Sequence, residues 1–151
     1  GKFLLKEAKY YIHYDRDSFQ QVAKDEIYRA KEKLVYKFVS NKLMFAYDDS
    51  SSLFLNSANI LIPNIPGMNI KTVLALLNSS LYQFLYEKLF GELKVLKGNL
   101  SELPFPKIDS QTDNKLTQIV EQILMDGKIR QKEIDDIVYK IFGLDKKLFI
   151  D

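Results

Sequence analysis

The chain has no cysteine and a single histidine among its 151 residues, which removes most of the chemistry a small domain can carry in its own side chains. Without cysteine there is neither a disulfide nor a thiolate zinc site. With His13 alone, most zinc sites and the Ser-His-Asp and Cys-His arrangements fall away. His13 lies among Tyr10, Tyr11, Ile12 and Tyr14 and reads as a structural residue. The six glycines are scattered, and none falls in a G-x-G-x-x-G or G-x-x-x-x-G-K pattern, so no phosphate-cradling loop is present. A Gly-rich cofactor loop of the kind that holds S-adenosylmethionine is missing for the same reason. No apolar run reaches the ~18 residues of a membrane span. The first residues, Gly1 to Lys6, lack the apolar stretch of a signal peptide. The opening on Gly1 rather than Met raises the expectation that the chain is a piece of a longer protein.

Charge of one sign is also scarce. The net charge is +2, too small to announce a nucleic-acid binder. Its distribution is more informative, because residues 1–50 carry 10 basic and 8 acidic groups and residues 101–151 carry 8 and 10. Arg29, Lys31, Lys33, Lys37 and Lys42 form the densest basic stretch. Acidic pairs at Asp48-Asp49 and Asp135-Asp136 read as solvated. Glu92-Leu93-Lys94 and Asp145-Lys146-Lys147 match half of a metal-nuclease pattern, as chance alone provides at 28% charged residues.

What remains is a chain with enough apolar residues, 46% with 9 Tyr and 10 Phe, to build a core. Phe3 to Tyr14 is a mixed apolar stretch, and Asp17 is placed to cap a short helix reaching about Tyr28. Leu34–Val39, Leu43–Tyr47, Leu53–Leu55 and Ile60–Ile62 are short apolar runs punctuated by Asn, Asp and Ser, the pattern of an antiparallel meander. Ile70 to Phe90 predicts one long helix, apolar over most of its circumference and stopped at Gly91. An extended link then ends in Leu103-Pro104-Phe105-Pro106. Leu116, Ile119, Val120, Ile123 and Leu124 keep helical spacing up to Gly127, and Ile134, Ile137, Val138 and Ile141 repeat it up to Gly143. The predicted class is α+β: a small antiparallel sheet packed on a long buried helix, followed by a C-terminal helical hairpin. Residues 1–108 would form the functional domain, and 109–151 a hairpin packed on the same unit.

Nucleic-acid binding survives the exclusions. Tyr28, Arg29, Lys31, Lys33, Tyr36, Lys37, Lys42 and Tyr47 mix cations with aromatics, which suits phosphate contact plus stacking or groove contact. Alternation along the first strand puts Lys33, Val35, Lys37 and Val39 on one side and Leu34, Tyr36 and Phe38 on the other. The lysine side is then expected to face DNA and the aromatic side the core.

The order of motifs adds a resemblance. Glu32-Lys33-Leu34-Val35-Tyr36-Lys37 leads through Phe45-Ala46-Tyr47-Asp48 and Leu61-Ile62-Pro63 to Val73-Leu74-Ala75-Leu76-Leu77-Asn78-Ser79-Ser80-Leu81. Gly98-x-Leu100, Leu103-Pro104-Phe105-Pro106 and Glu133 to Leu144 follow. This series, over about residues 10–145, resembles the TaqI-like C-terminal specificity domain of type IIG restriction-modification proteins and adenine-specific DNA methyltransferases. Specificity subunits of type I systems are similar at Leu77-Asn78-Ser79 and at the Leu-Pro-x-Pro ending.

The resemblance implies a noncatalytic reader of duplex DNA in a bacterial cytoplasm. A separate upstream methyltransferase or nuclease domain would use S-adenosylmethionine or Mg2+ and flip the adenine. This chain would read base edges, chiefly in the major groove, and hold no cofactor itself. Asn78, Ser79 and the Gly98–Pro106 segment would be structural, bonding a neighbouring strand or fixing the chain's exit. The chemistry of the side chains nominates Arg29, Lys31, Lys33, Lys37, Lys42, Lys94 and Lys97 for phosphates, with Tyr36 and Tyr47 as further contacts. The rival expectation is a protein-interaction module whose helices at 114–142 dock on a methyltransferase subunit.

Overall fold

The computed structural model describes residue 3 and residues 32–39, 42–49, 59–90, 100 and 102–144. The expected helix after Asp17 and the run Leu53–Leu55 lie outside these residues. Three strands are described: β1 (Lys33–Val39), β2 (Lys42–Asp48) and β3 (Asn59–Leu61). β1 pairs antiparallel with both of the others, Lys33 opposite Asp48 on one side and Leu34 opposite Leu61 on the other.

The strands are antiparallel as expected, but their order is β2-β1-β3 and not that of a meander. The outer edge of β2 is already occupied. Phe3 forms a parallel bridge with Ala46, its N–H donating to the Phe45 carbonyl at 2.7 Å and its own carbonyl accepting from Tyr47 N–H at 3.2 Å. β3 therefore joins the sheet beside β1.

After β3, Pro66 and Gly67 turn the chain, with Met68 N–H donating to the Ile65 carbonyl at 3.1 Å. Gly67 has φ +79°, the conformation a Pro-Gly type II turn requires at its third residue. Helix α1 (Ile70–Asn78) follows, with Asn69 as its N-cap, the side chain accepting from Lys71 N–H at 2.9 Å. Every residue from Thr72 to Asn78 is buried, so α1 is the spine of the core.

The single helix expected over residues 70–90 is in fact two. Ser79 adopts an extended ψ of 157°, and α2 (Ser80–Phe90) starts immediately after it. The break stabilises itself through one side chain. The Ser79 hydroxyl donates to the Leu76 carbonyl at 2.6 Å and accepts from Tyr82 N–H at 3.3 Å, closing one helix and capping the next. The redirected α2 does not bury its whole circumference as expected: Phe84 and Leu89 are 39% and 56% exposed.

Leu103, Phe105 and the intervening Pro104 are anchored to α2. The Tyr82 hydroxyl donates to the Pro104 carbonyl, and the Tyr82 ring lies 5.6 Å from that of Phe105. Helix α3 (Ser110–Asp126) begins at Asp109, whose carboxylate accepts from Thr112 N–H at 2.7 Å, and stops at Gly127. Helix α4 (Gln131–Ile141) ends in a Schellman motif. Gly143, at φ +66°, donates to Lys140, and Leu144 donates to the Tyr139 carbonyl at 2.8 Å.

Both helices of this hairpin contribute to the same hydrophobic cluster as α1 and the sheet. Leu116, Val120, Ile123, Ile134 and Val138 are fully buried there with Leu34, Phe45, Leu74 and Leu76. Polar contacts join the starts of α1 and α3. Asn69 N–H donates to Asp113 at 2.9 Å, and Thr72 Oγ1 lies 3.1 Å from both the Asp113 carbonyl and Thr117 Oγ1. The described fold is α+β: a three-stranded antiparallel sheet against a buried helix, with the helical hairpin closing the core.

Candidate nucleic-acid interface

The β1–β2 hairpin carries all five of the candidate contact residues that fall within the described structure, Lys33, Tyr36, Lys37, Lys42 and Tyr47, and its register assigns each to a face. Residues directly opposite in an antiparallel pair share a face. Leu34 with Tyr47, and Tyr36 with Phe45, point toward α1; Lys33 with Asp48, Val35 with Ala46, and Lys37 with Met44 lie on the other side. The alternation expected along β1 is therefore correct.

Its consequence for exposure is not uniform. Lys33 is fully buried, with Nζ 2.7 Å from Asp48 Oδ2, and both side chains are at most 2% exposed. Lys33 is thus corrected from a phosphate contact to a structural residue: its ammonium already faces a carboxylate in a site closed to solvent. Val35 and Ala46 continue this buried strip. Toward the hairpin tip the face opens, and Lys37 and Lys42 are both exposed with Met44 half-buried between them.

Tyr36 also differs from expectation. It is buried in the core with its ring 5.4 Å from that of Phe45, so it is not a surface contact. Burial, and secondarily Tyr86, pushes its phenol above the ordinary tyrosine range. Tyr47 is half-buried, its hydroxyl donating to Glu32 Oε2 at 2.7 Å and its ring lying beneath Lys71 Nζ at 5.2 Å. Burial first, then the Glu32 hydrogen bond, raises its phenol strongly. Lys71 was not nominated from sequence, yet it joins Tyr47 to Glu121, 3.3 Å from its Nζ. Packing of α1 between β2 and α3 brings these residues together. Arg29, Lys31, Lys94 and Lys97 lie outside the described residues.

Asn78 clamps the hairpin from its outer edge. The side-chain oxygen accepts from Phe45 N–H at 3.1 Å, and the side-chain nitrogen donates to the Phe45 carbonyl at 3.0 Å. One carboxamide thus stands where a neighbouring strand's peptide group would. The same bonds, with full burial, rule out Asn78 as the acceptor of its Asn-Ser-Ser sequon.

No group of three or more His, Asp or Glu side chains placed to hold a metal exists among the described residues. A groove of about 390 Å³ runs between the start of α3 and the end of α4, lined by Asp109, Thr112, Lys115, Ile137 and Lys140 among others. Hydrogen bonds from the Thr112 side chain and then the Thr112 backbone hold its carboxylate, Asp109, below the usual carboxylate range.

The β1–β2 hairpin thus presents Lys37 and Lys42 to solvent from strands held by the Lys33–Asp48 pair and by the Asn78 carboxamide. The model of the TaqI-like C-terminal specificity domain matches residues 1–105. The chain belongs to that family. Among curated proteins, none matches the chain.

Membership assigns this TaqI-like specificity domain a DNA sequence-specificity role in restriction-modification proteins. The matched segment holds all three described strands, α1, α2 and every nominated residue, while α3 and α4 lie beyond it. Within the TaqI-like domain, Leu77-Asn78-Ser79 acts as a structural joint: Asn78 holds the sheet edge and Ser79 redirects the helix. The Leu103–Pro106 segment is likewise structural, fixed through Tyr82. No helix among the described residues is long and apolar enough to cross a membrane.

Proposed function

We propose that the chain is the target-recognition domain of a restriction-modification enzyme, positioning duplex DNA for adenine methylation or cleavage by domains outside this chain. S-adenosylmethionine and Mg2+ belong, in this reading, to those other domains, and the setting is a bacterial cytoplasm. The observation that carries the reading is the joint exposure of Lys37 and Lys42 on one face of a hairpin otherwise locked into the fold. A two-stranded ribbon fits the major groove, where lysines at its tip meet phosphates or base edges. Residues 1–108 do the reading, and the hairpin from 109 to 151 supports them. Arg29, Lys31, Lys94 and Lys97 remain nominated phosphate contacts alongside Lys37 and Lys42.

The test is duplex binding titrated against salt, with the double variant Lys37→Ala/Lys42→Ala beside the unaltered chain. Each lost phosphate contact flattens the slope of log affinity against log salt by roughly 0.9. An unchanged affinity and slope in the double variant would remove the hairpin tip from the DNA interface.

A second reading, a module that docks on a methyltransferase subunit, draws on the exposed Met125 and Ile129 near the α3–α4 turn. The amphipathic stripes of both helices, however, already face the domain's own core. Loss of subunit binding in Met125→Ser/Ile129→Ser, with DNA affinity intact, would favour this second reading.

A further inference from the structure

The family match ends at residue 105, but the interactions that hold the DNA-reading hairpin in place do not. Asp135, on α4, accepts from both the backbone N–H and the hydroxyl of Ser80, at 2.8 and 2.6 Å. Gln131, one turn earlier, donates to Asp135 at 3.1 Å and to the carbonyl of Asn78 at 3.0 Å. Asn78 in turn holds Phe45 of β2 by two bonds. A continuous line of hydrogen bonds therefore runs from α4, through the break between α1 and α2, to the edge of the sheet. Its far end is the strand that carries Lys42.

Charge makes the α4 end strong. The Asp135 carboxylate sits at the first residue of α2, where unpaired N–H groups and the helix dipole favour an anion. A carboxylate that accepts from both groups of one serine fixes that residue's position and orientation. Ser79 and Asn78 precede it directly, so the direction of the Asn78 side chain depends on where Ser80 is held. The helices of the hairpin also bury Leu116, Ile123, Ile134 and Val138 in the shared core. The whole hairpin is thus fixed against α1 while its polar contacts act on the break.

We infer that Asp135, assisted by Gln131, is a positioning residue for the β1–β2 hairpin, and that the working specificity unit extends through α4. The functional meaning of this inference rests on the DNA-reading role proposed above, while the coupling itself is measurable without DNA. Phe45 N–H bonds Asn78, so it reports the far end of the line. Val35, whose partner across β1–β2 is Ala46, is an internal reference in the same hairpin.

The experiment is amide hydrogen exchange on the full chain, comparing Asp135→Ala, Asp135→Asn and the core control Ile123→Val. Asp135→Ala is expected to accelerate exchange at Phe45 about tenfold more than at Val35, the effect of losing charge-assisted bonds at one end of the line. Asp135→Asn keeps an acceptor for Ser80 N–H and should give an intermediate ratio, and it carries the test alone if the alanine variant does not fold. Ile123→Val should shift both amides together. An unchanged Phe45-to-Val35 ratio in the Asp135 variants overturns the inference. Selection of bound duplexes from a random pool supplies the functional arm. Asp135→Ala should lower the preference for the selected sequence over random duplex, and an undiminished preference also counts against the inference. If the unaltered chain binds no duplex, the DNA-reading role fails by itself, and the exchange ratio still decides the coupling.

Discussion

The carboxamide of Asn78 grips both backbone groups of Phe45, 33 residues away in the chain, and so substitutes for a strand along part of the outer edge of β2. An open edge invites pairing with another chain. Here a buried side chain from the end of a helix closes it and fixes the sheet against the spine of the core.

Replacing Asn78 by alanine should therefore destabilise the fold through a specific orphan. Phe45 N–H loses its acceptor, whereas the Phe45 carbonyl keeps Phe3 N–H as a donor. Leaving one buried group unsatisfied costs about 1–3 kcal/mol. Asn78→Asp should be worse, because an anion would face the Phe45 carbonyl in a closed site. The midpoint of urea denaturation measures both, and a midpoint unchanged in Asn78→Ala would contradict the assignment.

The Lys33–Asp48 pair should behave asymmetrically. Lys33→Met leaves the Asp48 carboxylate buried without this cation and is expected to cost about 3–5 kcal/mol. Lys33→Met/Asp48→Leu removes both charges from the dry strip beside Val35 and Ala46, and should recover most of that loss. A double-mutant cycle in chemical denaturation reads the coupling. Lys37→Met and Lys42→Met, at exposed positions, should leave stability within about 0.5 kcal/mol of the parent.

Alkaline conditions should unfold the chain through its buried tyrosines. The phenols of Tyr36, Tyr47, Tyr82 and Tyr139 are all raised in the folded state, burial being the largest cause for each. Their contribution to stability is complete below the ordinary tyrosine pKa of about 10, and is lost as pH rises through the folded values. Tyrosinate absorbance followed with pH should show the four ionising late or together with unfolding. Early titration of Tyr82 would contradict its enclosure.

At the acid end the informative group is Asp126. The Arg130 guanidinium, then Lys128 N–H, lower its carboxyl to about 2. A depressed carboxyl contributes stability above its unfolded pKa, near 3.9, that is lost as pH falls through the folded value. The group is solvent-exposed, so the effect on stability is small and screened by salt. Carboxyl chemical shifts should place Asp126 near 2 and return it toward the ordinary range in Arg130→Ala; no movement in that variant would assign the shift elsewhere.

Local rules carried much of the architecture. The strands at 34–39 and 43–47, the helices ending at Gly127 and Gly143, and the alternation of faces along β1 follow from side-chain period and stop signals, which neighbouring residues determine. The break at Ser79 had a local signal as well. Asn78-Ser79-Ser80 is a poor helix interior, and a serine is a strong N-cap, yet the surrounding apolar residues fit one continuous helix equally well.

Exposure and partnership were decided only by tertiary structure. Alternation places Lys33 and Lys37 on the same face, but whether that face is covered depends on what packs over it, and the covering ends between the two. The side-chain period likewise does not say that β3 joins β1 rather than β2, because that depends on Phe3 and Asn78 already occupying the free edge. Residue type and spacing thus pointed to most of the described elements, to their class and to the family. Burial and hydrogen bonding between distant segments decided which lysines stay in water, since a charge is removed from water by the whole fold and not by its neighbours in sequence.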